Sequence, residues 1–145
     1  MSLDDLYQEI ILDHGRRPRN FGDLDDRTHE AEGFNPLCGD QVRVQVLLNG
    51  DRIEDIRFSG RGCAISTASA SMMTQVIKGK TVEQAFELFE RFRKAVTSDS
   101  DGDADLGELG CLTGVKRFPT RVKCATLAWH AMKTAIADGG KATTE

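Results

Sequence analysis

The sequence predicts a mixed fold in which several helices surround an antiparallel β-hairpin. Two observations predict it. Residues 41–48 alternate apolar and polar side chains and run into Asn49-Gly50, a pair favoured in tight hairpin turns. Apolar residues recur at helical spacing in other stretches, each bounded by start and stop signals. At 145 residues the chain is sized for one domain, 1–145.

The elements follow in order. Ser2 and Asp5 give a helix start signal, and Leu3, Leu6, Tyr7, Ile10 and Ile11 supply an apolar stripe that ends at Gly15 and Pro18. Residues 20–34 read as a partly acidic loop. Val42, Val44, Val46 and Leu48 form the apolar face of a half-buried strand. Ile53, Ile56 and Phe58 return from the turn, with a break in alternation that predicts a bulge. Small residues from Ala64 to Ile77 predict a closely packed helix stopped by Gly79. Thr81 and Gln84 form a capping box for the next helix, with Val82, Ala85, Phe86, Phe89, Phe92 and Val96 as its stripe. Residues 97–108 read as a loop, within which Leu106, Leu109 and Leu112 start a short helix. Pro119 opens the last helix, with Val122, Ala125, Trp129, Met132 and Ile136 facing inward and Gly139-Gly140 as its stop.

Composition narrows the function. The chain is 39% hydrophobic and 29% charged, with net charge −4. This is an ordinary soluble balance, without the basic face expected of a nucleic-acid binder. The longest uncharged run, 62–77, is rich in Ser, Thr and Ala, so no membrane helix is expected. The acidic start MSLDDLYQEI lacks the pattern of a secretory signal, and a cytoplasmic location is expected.

The four cysteines, Cys38, Cys63, Cys111 and Cys124, are widely spaced, with no C-x-x-C. Three stand in motifs. Asn35-Pro36-Leu37-Cys38-Gly39-Asp40 puts a thiol and a carboxylate two residues apart in a tight turn before the first predicted strand. Gly60-Arg61-Gly62-Cys63 puts a thiol at a strand-to-helix junction, where the helix dipole favours thiolate. Arg121-Val122-Lys123-Cys124 flanks a thiol with cations. Taken singly, each is as easily a buried thiol at a crowded turn or helix face. If they converge, three sulfurs and one carboxylate oxygen make a tetrahedral site suited to Zn²⁺, and thiolates equally suit iron–sulfur chemistry. Arg61, Arg121 or Lys123 would offset the negative charge of such a site.

Over most of its length the sequence resembles the U-type iron–sulfur cluster assembly proteins. The resemblance runs from LYQEIILDHGRRPRNFG through NPLCGDQ and GRGCAISTASASMM to FPTRVKCATLAWHA. It implies an α+β fold, with a three-stranded antiparallel sheet packed against about five helices. It also implies that Cys38, Asp40, Cys63 and Cys124 form the metal or cluster site. The implied activity is sulfurtransferase-like. Cys38 takes persulfide sulfur from a pyridoxal-phosphate cysteine desulfurase of the SufS type, and Zn²⁺ holds the site until that partner docks. Arg121 matches a position tied to function. A downstream scaffold or apo-protein acceptors receive the sulfur. Lys123 stands where scaffold-type IscU proteins carry His, and Gly114-Val115-Lys116-Arg117-Phe118-Pro119 replaces their Leu-Pro-Pro-Val-Lys chaperone signal. The acidic stretch 97–115 looks like an insertion of the SufU branch. These departures favour a zinc-dependent sulfur acceptor over a scaffold on which a transient [2Fe–2S] cluster is assembled, and both over a plain structural zinc domain.

Other readings fail on particular residues. Asp99, Asp101 and Asp103 resemble the start of an EF-hand loop, but Ala104 and Gly110 stand where Gly and Glu are required. A zinc deaminase needs H-x-E and P-C-x-x-C, and neither occurs. A Cys–His hydrolase would draw on His14, His29 or His130, which read as surface or capping residues. Cys111 reads as a half-buried free thiol, with a resolving thiol that relays sulfur as the alternative.

Overall fold

The structure, a computed structural model, describes residues 3–97, 104–137 and 140–143. Along the chain run α1 (Leu3–Arg16), β1 (His29–Asn35), β2 (Asp40–Asn49), β3 (Arg52–Arg61), α2 (Ala64–Ile77), α3 (Val82–Thr97), a 3₁₀ segment (Ala104–Arg117), α4 (Pro119–Ala137) and β4 (Gly140–Thr143). The sheet order is β3-β2-β1-β4. Strands β3, β2 and β1 make the expected three-stranded antiparallel sheet, and α1–α4 with the 3₁₀ segment make the five helices. The short β4 adds a parallel edge beside β1, which the sequence reading did not foresee.

The predicted details mostly hold. The hairpin turns at Gly50-Asp51, and the register slips between Leu47 and Leu48, which is the bulge. Thr81 Oγ1 accepts from the Gln84 amide (3.2 Å), while Gln84 Oε1 accepts from the Thr81 amide (3.0 Å), closing the capping box. Ser2 and residues 98–103, which hold part of the predicted acidic loop, lie outside the described residues.

Several expectations need correction. The stretch read as loop over 20–34 contains β1. Its inward positions are Ala31, Gly33 and Asn35, too small or too polar to show an apolar alternation. The Asn35–Asp40 motif is therefore the turn between β1 and β2, not the approach to a first strand. Gly140 begins β4, and the 104–117 stretch is helical, broken at Gly107 (φ 60°, ψ −132°).

Packing fixes α4, and with it Cys124. Helix α4 lies across β1 and β2, and α2 packs against its other side. The small side chains of α2 from Ala68 to Ser71 are buried and let α4 approach closely. Ser69 Oγ donates to the Ala125 carbonyl and accepts from Trp129 Nε1 (3.2 Å). Trp129 is fully buried, with the rings of Phe92 and Phe89 stacked on it at 5.0 and 5.8 Å. Phe86, read as core, is half-buried under the Lys133 ammonium.

His14 and His130 differ from expectation. His14 sits on α1 with 2% exposure; its Nδ1 is 2.7 Å from Ser71 Oγ and its Nε2 3.2 Å from Glu108 Oε2. It ties α1, α2 and the 3₁₀ segment together from inside. His130 packs edge-on against Phe89 at 5.0 Å. Among the described residues, no helix is long and apolar enough to cross a membrane.

Candidate metal centre

The site is assembled from three parts of the chain. The first is the four-residue turn joining β1 to β2, whose end residues Asn35 and Asp40 pair across the strands. The Gly39 amide donates to the Asn35 carbonyl at 2.8 Å, and the Leu37 amide donates to Asn35 Oδ1 at 3.2 Å. Gly39 closes the turn at φ 72°, a conformation that costs glycine little. This geometry pushes Leu37 and Cys38 outward and turns Asp40 inward: Cys38 is exposed, Asp40 fully buried.

The second is the β3–α2 junction. Cys63 is the N-cap of α2, and its Sγ accepts from the Ser66 amide at 3.4 Å. The Cys63 amide donates to Asp40 Oδ1 at 2.9 Å. Gly62 makes this possible, because a Cβ there would stand 2.7 Å from Asp40 Oδ1. The third is the start of α4, which buries Cys124 (1% exposed) with its Sγ 3.3 Å from that of Cys38.

The ligand atoms of Cys38, Asp40 and Cys124 all lie within 4.8 Å of one another. The Cys63 sulfur, predicted to join them, is outside this set, and its exposed side chain is engaged at the helix cap. Arg121 is exposed and packed over the Phe118 ring at 5.2 Å. Among the described residues no hydrogen bond or ion pair joins Arg61, Arg121 or Lys123 to the four predicted ligands. The cationic side chains expected to offset the site's charge do not do so by direct contact.

The electrostatics follow from that. Burial pushes the Cys124 thiol well above the ordinary thiol range. Hydrogen bonds with Asp40 and Cys38 push it further, as do the charges of Cys63 and Asp40. Without a cation it stays protonated. A buried carboxylate and two thiols meeting with no cationic partner in contact form a set that a divalent cation fits. Borderline-soft Zn²⁺ suits two sulfurs and one oxygen, while Cys63 meets Asp40 through its backbone amide and not its sulfur.

One residue of the site escaped the sequence reading. Asn35 is fully buried, and its Nδ2 lies 3.4 Å from both Asp40 Oδ2 and Cys124 Sγ. It stands inside the quoted motif, but an Asn before Pro reads as a turn former, and only the approach of α4 shows what its side chain touches.

The chain matches the NifU-like N-terminal domain family over residues 6–144. It is 46% identical over 142 residues to the zinc-dependent sulfurtransferase SufU of Bacillus subtilis (strain 168), covering 96% of each chain. It is 44% identical over 135 residues to the iron–sulfur cluster assembly scaffold protein IscU of Streptococcus pyogenes serotype M1, covering 92% of this chain and 84% of that one. A solved structure from Fervidobacterium islandicum AW-1, a candidate iron–sulfur cluster assembly scaffold for the SUF system, superposes with a TM-score of 0.84. It is 33% identical, with 93% of this chain and 99% of that one covered. With the family model matched over nearly the whole chain, and relatives 46% and 44% identical over more than nine-tenths of it, the chain belongs to the NifU-like N-terminal domain family.

Proposed function

We propose that this chain is a zinc-dependent acceptor of persulfide sulfur. The donor is a pyridoxal-phosphate cysteine desulfurase of the SufS type, and the sulfur passes to a cluster scaffold or apo-protein acceptors. The observation that carries this reading is the division of labour between two touching thiols. Cys38 is exposed on a tight turn, while Cys124, 3.3 Å away, is buried in a helix. A thiol that must meet a partner's sulfur has to reach outside, and one that anchors the site does not. The 46% identical relative, named a zinc-dependent sulfurtransferase, supports it.

Cys38, Asp40 and Cys124, with Cys63 as fourth donor, would hold Zn²⁺. When bound, the ion supplies the positive charge that keeps these thiols deprotonated. The remaining steps belong to the chain. Cys38 thiolate attacks the outer sulfur of the donor's persulfide, a new S–S bond forms on Cys38, and the donor's thiolate leaves. The exchange is redox-neutral. Asp40 and Cys124 are held from within, while Cys38 projects from an exposed turn. Arg121, three residues before Cys124 on the exposed start of α4, meets the anionic sulfur of the incoming persulfide.

The test is intact mass after incubation with desulfurase and cysteine, with the modified residue mapped. The reading expects one added sulfur on Cys38, and Cys38→Ala abolishes it. A Cys38→Ala protein that still accepts sulfur normally overturns the assignment. The 44% identical IscU scaffold favours a second reading, assembly and transfer of a [2Fe–2S] cluster. Anaerobic reconstitution with iron and sulfide decides it: a scaffold forms a transferable cluster that displaces zinc. A purely structural zinc site would accept no sulfur and would unfold on chelation.

A further inference from the structure

We propose that Asn35 is the positioning residue of this centre, bridging Asp40 and Cys124 from inside the fold and anchoring the turn that carries Cys38. The proposal rests on the metal-binding part of the reading above and adds a residue to it.

A carboxamide has one acceptor oxygen and two N–H donors. Here all three functions are used. Oδ1 faces the Leu37 amide, a donor, at 3.2 Å, which fixes the orientation of the group. Nδ2 therefore points the other way, one hydrogen toward Asp40 Oδ2 and one toward Cys124 Sγ, each at 3.4 Å. The side chain is fully buried, so no water competes for these bonds. Asn35 also pairs with Asp40 in the β1–β2 register, which fixes the backbone from which it reaches both groups.

The chemistry explains an amide here. A Lys or Arg at this position would hold the two groups equally well but would repel the cation they are to bind. A neutral donor orients two acceptors and leaves their charge available. Outer partners of metal ligands act in this way, fixing direction as well as distance. Asp40 and Cys124 are held to each other through one side chain, which also fixes the turn from which exposed Cys38 projects.

The test uses Asn35→Leu, which keeps the volume and removes all three hydrogen bonds, and Asn35→Ala. Zn²⁺ affinity is measured by competition with a chromophoric chelator, and ligand geometry by the absorption bands of the Co²⁺-loaded protein. Both variants are expected to bind Zn²⁺ roughly 10- to 100-fold more weakly and to show altered Co²⁺ bands. His14→Ala, which removes bonds to Ser71 and Glu108 but none to Asp40 or Cys124, keeps the parent's affinity and spectrum. A folded Asn35→Leu with unchanged affinity and Co²⁺ bands overturns the proposal. Should both Asn35 variants fail to fold, the native chain loaded with ¹¹³Cd²⁺ decides. The proposal expects the Asn35 Nδ2 proton signals to be split by the metal through the N–H···S bond, and unsplit signals overturn it. None of these measurements involves a desulfurase. Loss of sulfur acceptance would sink the transfer reading and leave this one standing, while unchanged metal binding in Asn35→Leu would do the reverse.

Discussion

Gly62→Ala gives a sharp test of how the carboxylate is held. The added Cβ would stand 2.7 Å from Asp40 Oδ1 and 3.2 Å from its Cβ and Cγ. Asp40 is fully buried, with one oxygen on the Cys63 amide and the other on Asn35, so it has no solvent to swing into. Restoring an ordinary contact moves the carboxylate by about 0.7 Å, more than the roughly 0.5 Å tolerance of a working ligand constellation. Overpacking alone costs about 1–3 kcal/mol. Displacing a ligand weakens metal binding as well. At a thousandfold excess of Zn²⁺ over Kd, binding stabilises the parent by about 4.1 kcal/mol; after a hundredfold loss of affinity the gain is about 1.4 kcal/mol. Urea unfolding with and without Zn²⁺ reads both effects: the variant is less stable when metal-free and gains less on loading. A Gly62→Ala protein that matches the parent in both states would refute the claim that this spacing sets Asp40.

Two further outcomes follow from the same geometry. Because burial and its acidic neighbours hold a proton on Cys124, loading the site displaces that proton. Zn²⁺ affinity should rise with pH, about tenfold per unit for each proton released, and an affinity flat between pH 6 and 8 would contradict this. His14→Ala removes the partner of both Ser71 and Glu108 and should cost about 1–3 kcal/mol in chemical denaturation while leaving sulfur acceptance by Cys38 intact.

What the sequence disclosed, and what it hid, has a physical pattern. The hairpin, α3 and α4 were legible because their inward positions carry apolar residues at a fixed period, and α2 as a run of small residues ended by Gly79. Strand β1 was not, since Ala31, Gly33 and Asn35 become inward-facing only through pairing with the valines of β2 and cover by α4. Strand β4 is a four-residue GKAT edge with no pattern of its own. Cys63 was legible as a helix-end thiol because the boundary of α2 is written locally. The meeting of Cys38 and Cys124 joins residues 86 apart, and their motifs named the partners only through the family resemblance. His14 looked like a surface residue because its neighbours in sequence are charged, whereas its burial comes from Ser71, 57 residues away.

Cys111 shows how the fold can keep a thiol unreactive. It is buried on the 3₁₀ segment, and its S–H donates to the Glu108 carbonyl. Burial, with the Glu108 charge adding, pushes it up to about 11 from 9.0. At pH 7 about one molecule in 10⁴ then carries the thiolate that a resolving or relaying thiol needs. The sign of the linkage is set by the same rise. The fold favours the neutral thiol, so its contribution is fully present below about pH 9 and is lost as pH climbs through about 11. The amount at stake is up to about 2.7 kcal/mol, at about 1.36 kcal/mol per pH unit. Cys111→Ala should therefore leave sulfur transfer to Cys38 unchanged at neutral pH. The stability difference between parent and variant, measured by urea unfolding of the metal-free proteins, should shift against the parent between pH 9 and 11. Sulfur that fails to reach Cys38, or to leave it, in Cys111→Ala would show that the thiol opens to solvent during turnover and would restore the relay.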